Sequence, residues 1–245
     1  MVDKKTEFSD GILIAFDIDD VIARLGPSLF RWNNKLYGNA GTQNKGKALL
    51  KDHKTYALHK TWSCSEQEAL RRVLEFYQTD FFKNLPPVPG AIECVYAVKN
   101  ILKKYYDDPC LPYITSRPTS TDVINQNWFD KYTPGVDFKI HYSDHYFSDG
   151  PKAAAQTGKI NKSKGILCKK INAAIIVDDC LEYCLDCSEH GIFSMLFDLN
   201  GSYGHNKLRN LPEGMKKLPE NIVRVKNHKE VFAKYSAYVQ MISKY

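Results

Sequence analysis

Three carboxylates follow directly on an apolar run near the start of the chain. Residues 12–16 are all apolar, and Asp17, Asp19 and Asp20 come after them. An uninterrupted apolar run of this length is typical of a strand buried on both faces of a parallel sheet. Acids so close together repel one another unless a cation or a proton lies between them. The sequence therefore favours a site for a hard divalent cation such as Mg²⁺, which takes oxygen ligands; the alternative is a solvated acidic turn.

Two later strands also end in polar side chains. The strand predicted at 111–115 ends at Thr115 and is followed by Ser116 and Arg117, and the strand predicted at 174–177 is followed by Asp178 and Asp179. Lys164 opens the helix that precedes the second of these strands. Because ligands of parallel sheets bind at the carboxyl ends of the strands, we expect these groups to converge. A hydroxyl, two cations and a metal held by acids would suit a phosphoryl group.

The elements that must position these groups alternate between strand and helix from residue 91 onward. Hydrophobic spacing and end signals predict the following ranges. Strands are expected at 12–16, 111–115, 138–141, 174–177, 193–197 and 222–225, and helices at 27–37, 91–106, 120–132, 163–171, 180–190 and 228–243. This alternation predicts an α/β fold with a Rossmann-like parallel sheet flanked by helices.

Between the first strand and this regular part lie about seventy residues of another character. Residues 42–60 are basic and irregular, and Ser65 and Glu68 form a capping box that starts a further helix. The proline-rich stretch 86–90 is the strongest break in the chain. We therefore predict a core made of residues 1–20 and 91–245, with residues 21–90 as a small helical cap over the carboxyl edge of the sheet.

The composition limits the class of protein. The chain has 245 residues, of which 43% are apolar and 25% charged, with a net charge of +6. That charge suits an anionic ligand, but no dense Lys/Arg block favours nucleic acid. No apolar segment follows the N-terminal Met and no run reaches membrane-spanning length, so we expect a cytoplasmic protein without a membrane partner. The sequence does not determine the oligomeric state.

Seven cysteines with no secretory signal indicate reduced thiols. Cys180, Cys184 and Cys187 have a C-x₃-C-x₂-C spacing that could hold an iron–sulfur cluster. The same spacing also lies on one face of a helix, where buried cysteine acts as a small hydrophobe. We favour the helical interpretation, because a cluster would compete with Asp178 and Asp179 for the same strand end.

Four motifs in order resemble those of the haloacid dehalogenase-like phosphatase superfamily. They are an apolar strand with Asp-x-Asp, a strand ending in Thr, a Lys, and an acidic pair after a strand, matched by Asp17 and Asp19, Thr115, Lys164, and Asp178 and Asp179. The resemblance spans about residues 11–200. Within the superfamily, the segments around 17–22, 115–118 and 191–198 look most like the 5′-nucleotidase, or deoxyribonucleotidase-like, branch.

The resemblance implies roles for these residues. Asp17 would be the nucleophile that carries the phosphoryl group, and Asp19 the general acid and base. Mg²⁺ would be held by Asp17, the backbone carbonyl of Asp19, Asp178 and Asp179, the last directly or through water. Phosphate oxygens would be bound by Thr115, Ser116 and Lys164.

Some positions stay open at this stage. Asp20 stands where the family often has Gly, and Lys164 has rivals in Lys152, Lys159, Lys162 and Lys169. Arg117 is either a turn residue or a substrate contact. A nucleoside would need an aromatic platform, for which Phe30, Trp32, Tyr56, Trp62 and Phe82 are available.

The function we expect is a Mg²⁺-dependent phosphomonoesterase that works through an aspartyl-phosphate, with a small phosphorylated substrate, first of all a nucleoside monophosphate. The alternatives are a phosphatase of sugar phosphates or of nucleic-acid ends, and a catalytically silent binding protein with the same fold. The presence of both Asp17 and Asp19 argues against the last.

Overall fold

The computed structural model of the protein describes residues 11–38, 57–143, 163–206, 211 and 214–244. The strands in these ranges are β1 (Ile14–Phe16), β2 (Leu111–Thr115), β3 (Phe138–Tyr142), β4 (Ile175–Asp178), β5 (Phe193–Phe197) and β6 (Ile222–Val225). The α-helices are α1 (Leu25–Tyr37), α2 (Leu58–Trp62), α3 (Glu66–Phe76), α4 (Asp80–Lys83), α5 (Ala91–Leu102), α6 (Asp122–Tyr132), α7 (Lys164–Lys170), α8 (Leu181–Glu189) and α9 (His228–Ile242).

The six strands form one parallel sheet in the order β3-β2-β1-β4-β5-β6, which confirms the predicted α/β fold. After β1, the chain adds β2 and β3 on one side of β1, and it then returns to add β4, β5 and β6 on the other side. Strand order therefore reverses between β1 and β4, and ligands of such sheets bind at the carboxyl ends of the strands at this point. Phe16 pairs with Val177, so Asp17 and Asp178 are the next residues in register.

The central strands are apolar because helices cover both faces of the sheet. Every residue of β1, β2 and β4 is buried, whereas β3 at the edge is only partly covered. The short apolar runs in the sequence predict these strands well, since a strand buried on both faces has no polar side to alternate with.

Most element boundaries agree with those predicted from the sequence. Helix α1 begins two residues earlier than expected, because Pro27 fits in the first turn, where its missing N–H leaves no bond unmade. Helix α5 ends at Leu102 instead of 106. The expectation that 42–60 is irregular is wrong at its end, where α2 begins at Leu58. Residues 42–56 of this stretch lie outside the described residues.

The insertion between β1 and α5 carries helices α1 to α4. Its two ends run side by side: the Arg24 N–H donates to the Pro86 carbonyl and the Val88 N–H donates to the Ile22 carbonyl, both at 2.8 Å. The predicted capping box is present, since Ser65 Oγ accepts from the Glu68 N–H at 3.1 Å. Trp128 of α6 donates from Nε1 to the Leu85 carbonyl at 2.7 Å and so ties the insertion to the sheet layer.

Among the helices of the described part of the chain, none has the length and apolar character needed to cross a bilayer.

One hydroxyl in the core predicts a stabilising substitution. Tyr113 of β2 is fully buried, and its hydroxyl has no hydrogen-bond partner among the described residues. We expect Tyr113→Phe to raise the free energy of unfolding by about 1 kcal/mol, because the substitution removes a buried polar group that has no hydrogen-bond partner. The measurement is urea unfolding of both proteins.

The matched control is Tyr235→Phe. Tyr235 is equally buried, but its hydroxyl donates to the Ile12 carbonyl at 3.1 Å. This variant should lose about 1 kcal/mol. A Tyr113→Phe protein that is destabilised as much as Tyr235→Phe would contradict the assignment of an unpartnered hydroxyl.

Candidate active site

A buried ammonium group joins the ends of β1 and β4. Lys164, the first residue of α7, donates from Nζ to Asp17 Oδ1 and to Asp178 Oδ2, at 2.6 Å in each case. Ser163 caps α7 by accepting from the Ile166 N–H, and Asp186 of α8 accepts from the Gly165 N–H at 2.9 Å, so the helix start is held on two sides. The ring of Tyr183 lies 4.3 Å below the ammonium. Three residues distant in sequence thus meet at one edge of the sheet.

Asp17, Asp178 and Asp179 form a cluster in which one ligand oxygen of each lies within 4.8 Å of the others. All three are at least 95% buried. Burial raises the pKa of Asp17 well above its usual range, and although Lys164 opposes this, the neighbouring acids add to it. Burial likewise raises the pKa of Asp178, to about 6, against the effect of Lys164.

This cluster fits a hard divalent cation. Three carboxylates face one ammonium group, so the site keeps an excess of negative charge, and its donors are all oxygens. Such a donor set suits Mg²⁺, which binds carboxylates and retains positions for water or phosphate. The residues that would hold it are Asp17, Asp178 and Asp179.

Asp19 is bound by Arg117 instead of joining this cluster. Arg117 Nε lies 3.1 Å from both carboxylate oxygens of Asp19, and Nη2 also donates to Oδ1. The guanidinium is 3% exposed, donates from Nη1 to Asn125, and lies 4.7 Å from the centre of the Phe82 ring. A planar guanidinium that grips both oxygens fixes the orientation of the carboxylate as well as its charge.

The end of β2 contributes hydroxyl groups. Thr115 is fully buried and its Oγ1 accepts from the Arg117 N–H at 3.2 Å, which shapes the turn that carries Arg117. Ser116 Oγ lies 2.9 Å from Ser143 Oγ and 3.0 Å from the Tyr183 hydroxyl. Both hydroxyls therefore already have protein partners at the strand end.

Asp20 anchors the turn after β1. Its φ of 55° lies in the left-handed region, which glycine adopts without strain. Both of its carboxylate oxygens accept from the Gly26 N–H, at 3.0 and 2.9 Å, in the first turn of α1. This contact joins the turn after β1 to the start of the helix that leads into the insertion.

Comparison with known proteins identifies the fold. No family model and no curated protein matches the sequence. Among solved structures, a haloacid dehalogenase-like family hydrolase from Streptococcus pneumoniae matches with a TM-score of 0.54 and 18% identity, over 92% of this chain and 98% of that one. The chain has the haloacid dehalogenase-like fold. The identity is too low to extend the likeness beyond the fold.

Two further structures with this fold match at a TM-score of 0.50 and 12% identity, each over 93% of this chain and 99% of its own. One is an L-2-haloacid dehalogenase and the other a hydrolase of family IA, variant 3, from Entamoeba histolytica. These neighbours give no support to the 5′-nucleotidase branch in particular.

In this haloacid dehalogenase-like fold, the aromatic candidates occupy two environments. Phe30, Trp32 and Trp62 are at most 4% exposed and pack inside the insertion, Phe30 against Trp62 and Trp32 against Phe76. Phe82 is equally buried and also packs on Phe76, but its ring in addition lies 4.7 Å from the guanidinium of Arg117, which holds Asp19. Tyr56 lies outside the described residues.

Tyr77 shares the environment of Phe82. The two rings contact at 4.7 Å between centroids, and burial together with the charge of Asp19 raises the pKa of Tyr77. No motif in the sequence marks Tyr77 as a site residue. Helical spacing indicates that a face is buried, but it does not tell which other element covers that face.

The cysteine run lies on a helix, as favoured from the sequence. Cys184 and Cys187 are buried on α8, Cys180 precedes its first turn, and all seven cysteines are free thiols. Burial raises the pKa of Cys184 well above its usual range, which disfavours the thiolate form. Within the described residues, no cysteine belongs to the group that could hold a metal.

Of the candidate lysines, the structure describes Lys164 and Lys169, and of these two Lys164 lies at the acidic cluster. Lys169 lies on the exposed side of α7, and Lys152, Lys159 and Lys162 are outside the described residues. Sequence reasoning missed three residues that follow β5 and contact the acidic segments, namely Tyr203, His205 and Asn206. No motif marks them, because they act on main-chain carbonyls.

The cluster predicts a metal response that can be measured without a substrate. Mg²⁺ should raise the melting temperature of the protein by about 5 °C at a hundredfold excess over its Kd, because the ion binds only the folded acids. Asp178→Asn should abolish most of this rise, since one charged ligand is lost. Differential scanning fluorimetry across a Mg²⁺ titration provides the measurement.

Asp137→Asn is the matched control. Asp137 precedes β3 at the opposite edge of the sheet and pairs with Lys99 at 3.0 Å. This variant should keep the full response to Mg²⁺. Equal responses of the Asp178→Asn and Asp137→Asn proteins would show that Mg²⁺ binds elsewhere.

Proposed function

We propose that the protein is a Mg²⁺-dependent phosphomonoesterase that works through an aspartyl-phosphate on Asp17. The observation that carries the proposal is the position of Lys164 Nζ, 2.6 Å from both Asp17 and Asp178, inside a cluster of three buried carboxylates. This arrangement places a nucleophile, a fixed positive charge and a set of metal-capable oxygens within one small volume. Phosphoryl transfer depends on such positioning and electrostatic stabilisation.

In the first step, a carboxylate oxygen of Asp17 attacks phosphorus, and the bond from phosphorus to the ester oxygen breaks. Asp19 gives its proton to the leaving oxygen, which departs as an alcohol. Lys164 and Thr115 stabilise the charge on the phosphoryl oxygens. Mg²⁺, held by Asp17, Asp178 and Asp179, would supply further positive charge to those oxygens when bound.

In the second step, water attacks the phosphorus of the aspartyl-phosphate. Asp19, now a carboxylate, accepts the proton of that water, and phosphate leaves with Asp17 restored. Arg117 grips both oxygens of Asp19, so it holds this carboxylate in one orientation for the step. For Asp19 to carry a proton in the first step, one of these hydrogen bonds has to be released.

The insertion is proposed as the cap that selects the substrate. Tyr77 and Phe82 lie beside the pair formed by Arg117 and Asp19, which is where the leaving group would depart. Aromatic rings near the leaving group suit a nucleoside, so a nucleoside monophosphate is our first candidate. A sugar phosphate or a phosphorylated nucleic-acid end is the alternative within the same chemistry.

Loss of the nucleophile provides the main test. Asp17→Asn should lower kcat by about 1,000-fold or more on any phosphate ester the wild type hydrolyses, because the covalent route is closed. Released phosphate is measured over a panel of nucleotides and sugar phosphates in Mg²⁺. Acid-quenched wild-type protein should also carry one phosphoryl group on the peptide that contains Asp17.

The Asp137→Asn protein serves again as the control and should retain wild-type kcat. Failure of the wild type to release phosphate from the whole panel in saturating Mg²⁺ would favour the catalytically silent alternative. Equal activity of wild type and Asp17→Asn would rule out the covalent route.

Arg117 offers a second test of the site. Arg117→Lys keeps a positive charge but loses the planar fork that holds Asp19, so we expect kcat to fall by about 100-fold with a smaller change in KM. Arg117→Ala should be partly rescued by added guanidinium ion. Steady-state kinetics with and without guanidinium measures both effects.

Arg72→Lys makes the same change at another buried arginine. Arg72 lies within the insertion, bonds Glu68 and Asn33, and is 4.0 Å from the Tyr37 ring centre. The Arg72→Lys substitution should leave kcat close to the wild-type value. A similar loss of kcat in the Arg72→Lys and Arg117→Lys proteins would mean that Arg117 acts only through general stability.

A further inference from the structure

One loop behind the active site contacts the main chain of both acidic segments, residues 17–20 after β1 and residues 178–179 at the end of β4. It consists of residues 198–206, which follow β5, and we call it the β5 loop. We propose that the β5 loop positions these two acidic segments for metal binding, with Asn206 and Tyr203 as its positioning residues. The inference rests on the proposed function, since it assumes that the acids hold a divalent cation.

Asn206 bridges the ends of two neighbouring strands. Its side chain is fully buried, and Nδ2 donates both to the Asp179 carbonyl, at 2.5 Å, and to the Phe197 carbonyl, at 3.1 Å. The two carbonyl partners require the amide nitrogen on this side. The amide thus ties the residue after β4 to the last residue of β5. Asp179 is thus held through its backbone carbonyl.

Tyr203 holds the other acidic segment. Its hydroxyl donates to the Asp20 carbonyl at 2.7 Å, and the ring is 4% exposed. The ring stacks on that of His205 at 5.7 Å and 12°. His205 Nε2 in turn lies 3.2 Å from the Asp179 carbonyl and 3.5 Å from Asp179 Oδ2. One loop therefore spans the segments after β1 and β4, the two strands between which strand order reverses.

The β5 loop is itself tightly folded. Asp198 Oδ1 accepts from the Tyr203 N–H at 2.7 Å, and the Gly201 N–H donates to the Asp198 carbonyl at 2.9 Å. Asn200 and Gly201 both have positive φ, 52° and 70°, which reverses the chain between these bonds. A loop so constrained can hold other segments in place.

The physical reason for such a loop is the mutual repulsion of the acids. Asp17, Asp178 and Asp179 push each other apart, and both Asp19 and Asp179 raise the pKa of Asp20 further after burial has raised it. Bonds to main-chain carbonyls keep the segments together without neutralising the carboxylates. Groups that orient metal ligands in this way change metal affinity by about 10–100-fold when removed.

The test is a Mg²⁺ titration of the full chain by isothermal calorimetry, together with kcat at saturating Mg²⁺. Asn206→Ala should bind Mg²⁺ about 10–100-fold more weakly than wild type. The matched control is Asn221→Ala. Asn221 Nδ2 also donates to two carbonyls, those of Ser188 and Ile192, but between α8 and the start of β5. This control should keep the wild-type Kd for Mg²⁺.

The outcomes separate the two hypotheses. A wild type that binds no Mg²⁺ overturns the proposed function and this inference with it. A wild type that binds Mg²⁺, with equal Kd values for Asn206→Ala and Asn221→Ala, overturns the inference alone. Should Asn206→Ala fail to fold, Tyr203→Phe decides: it removes a single oxygen, a several-fold weaker Kd supports the inference, and an unchanged Kd overturns it.

Discussion

The structure depends on how a few buried charges are balanced. Lys164 places one ammonium group between the carboxylates of Asp17 and Asp178 in a site from which water is almost excluded. Burial alone would lower the pKa of Lys164, but the two carboxylates raise it well above its usual value, so it stays charged. One ammonium group cannot neutralise three acids. The acids therefore repel one another, and a bound cation would relieve this repulsion.

The sheet order brings these charges together. Asp17 and Lys164 are 147 residues apart in the chain, and they meet because β4 joins the sheet beside β1. A parallel pair of this kind is a long-range contact whose loop-closure entropy must be overcome before the contact stabilises anything. The apolar residues of β1 and β4 supply that stabilisation, since every side chain in both strands is buried. The acids are therefore held by the packing of the strands that precede them.

Much of this organisation could be predicted from the sequence, because it depends on patterns among residues that are close together in the chain. Strands buried on both faces are short apolar runs, and acids directly after such runs must lie at the carboxyl edge. The pairing of Arg117 with Asp19 could not be predicted in this way. It depends on how the turn after β2 places one long side chain, and neither periodicity nor spacing encodes that.

The same limit applies to the aromatic residues and to Asn206. Trp32 and Phe82 have similar local sequence signals and both pack on Phe76, yet Phe82 also contacts Arg117. Which ring reaches Arg117 is decided by the way the insertion docks on the sheet. Asn206 binds backbone carbonyls, so its partners have no side-chain pattern that a sequence could reveal.

The charge balance of the site also bears on the choice between halide displacement and phosphoryl transfer. One of the solved structures with this fold is an L-2-haloacid dehalogenase. Displacement of a halide from carbon needs a carboxylate nucleophile, but a halide departs without a proton, so an acid beside the nucleophile would have no task. Cleavage of a phosphate ester has two requirements that halide displacement lacks. Its leaving oxygen requires a proton, and its charged oxygens would be repelled by an acidic cluster unless cations intervene. Asp19 beside Asp17, and an excess of carboxylates around a single lysine, match these two needs and favour phosphoryl transfer as the proposed chemistry.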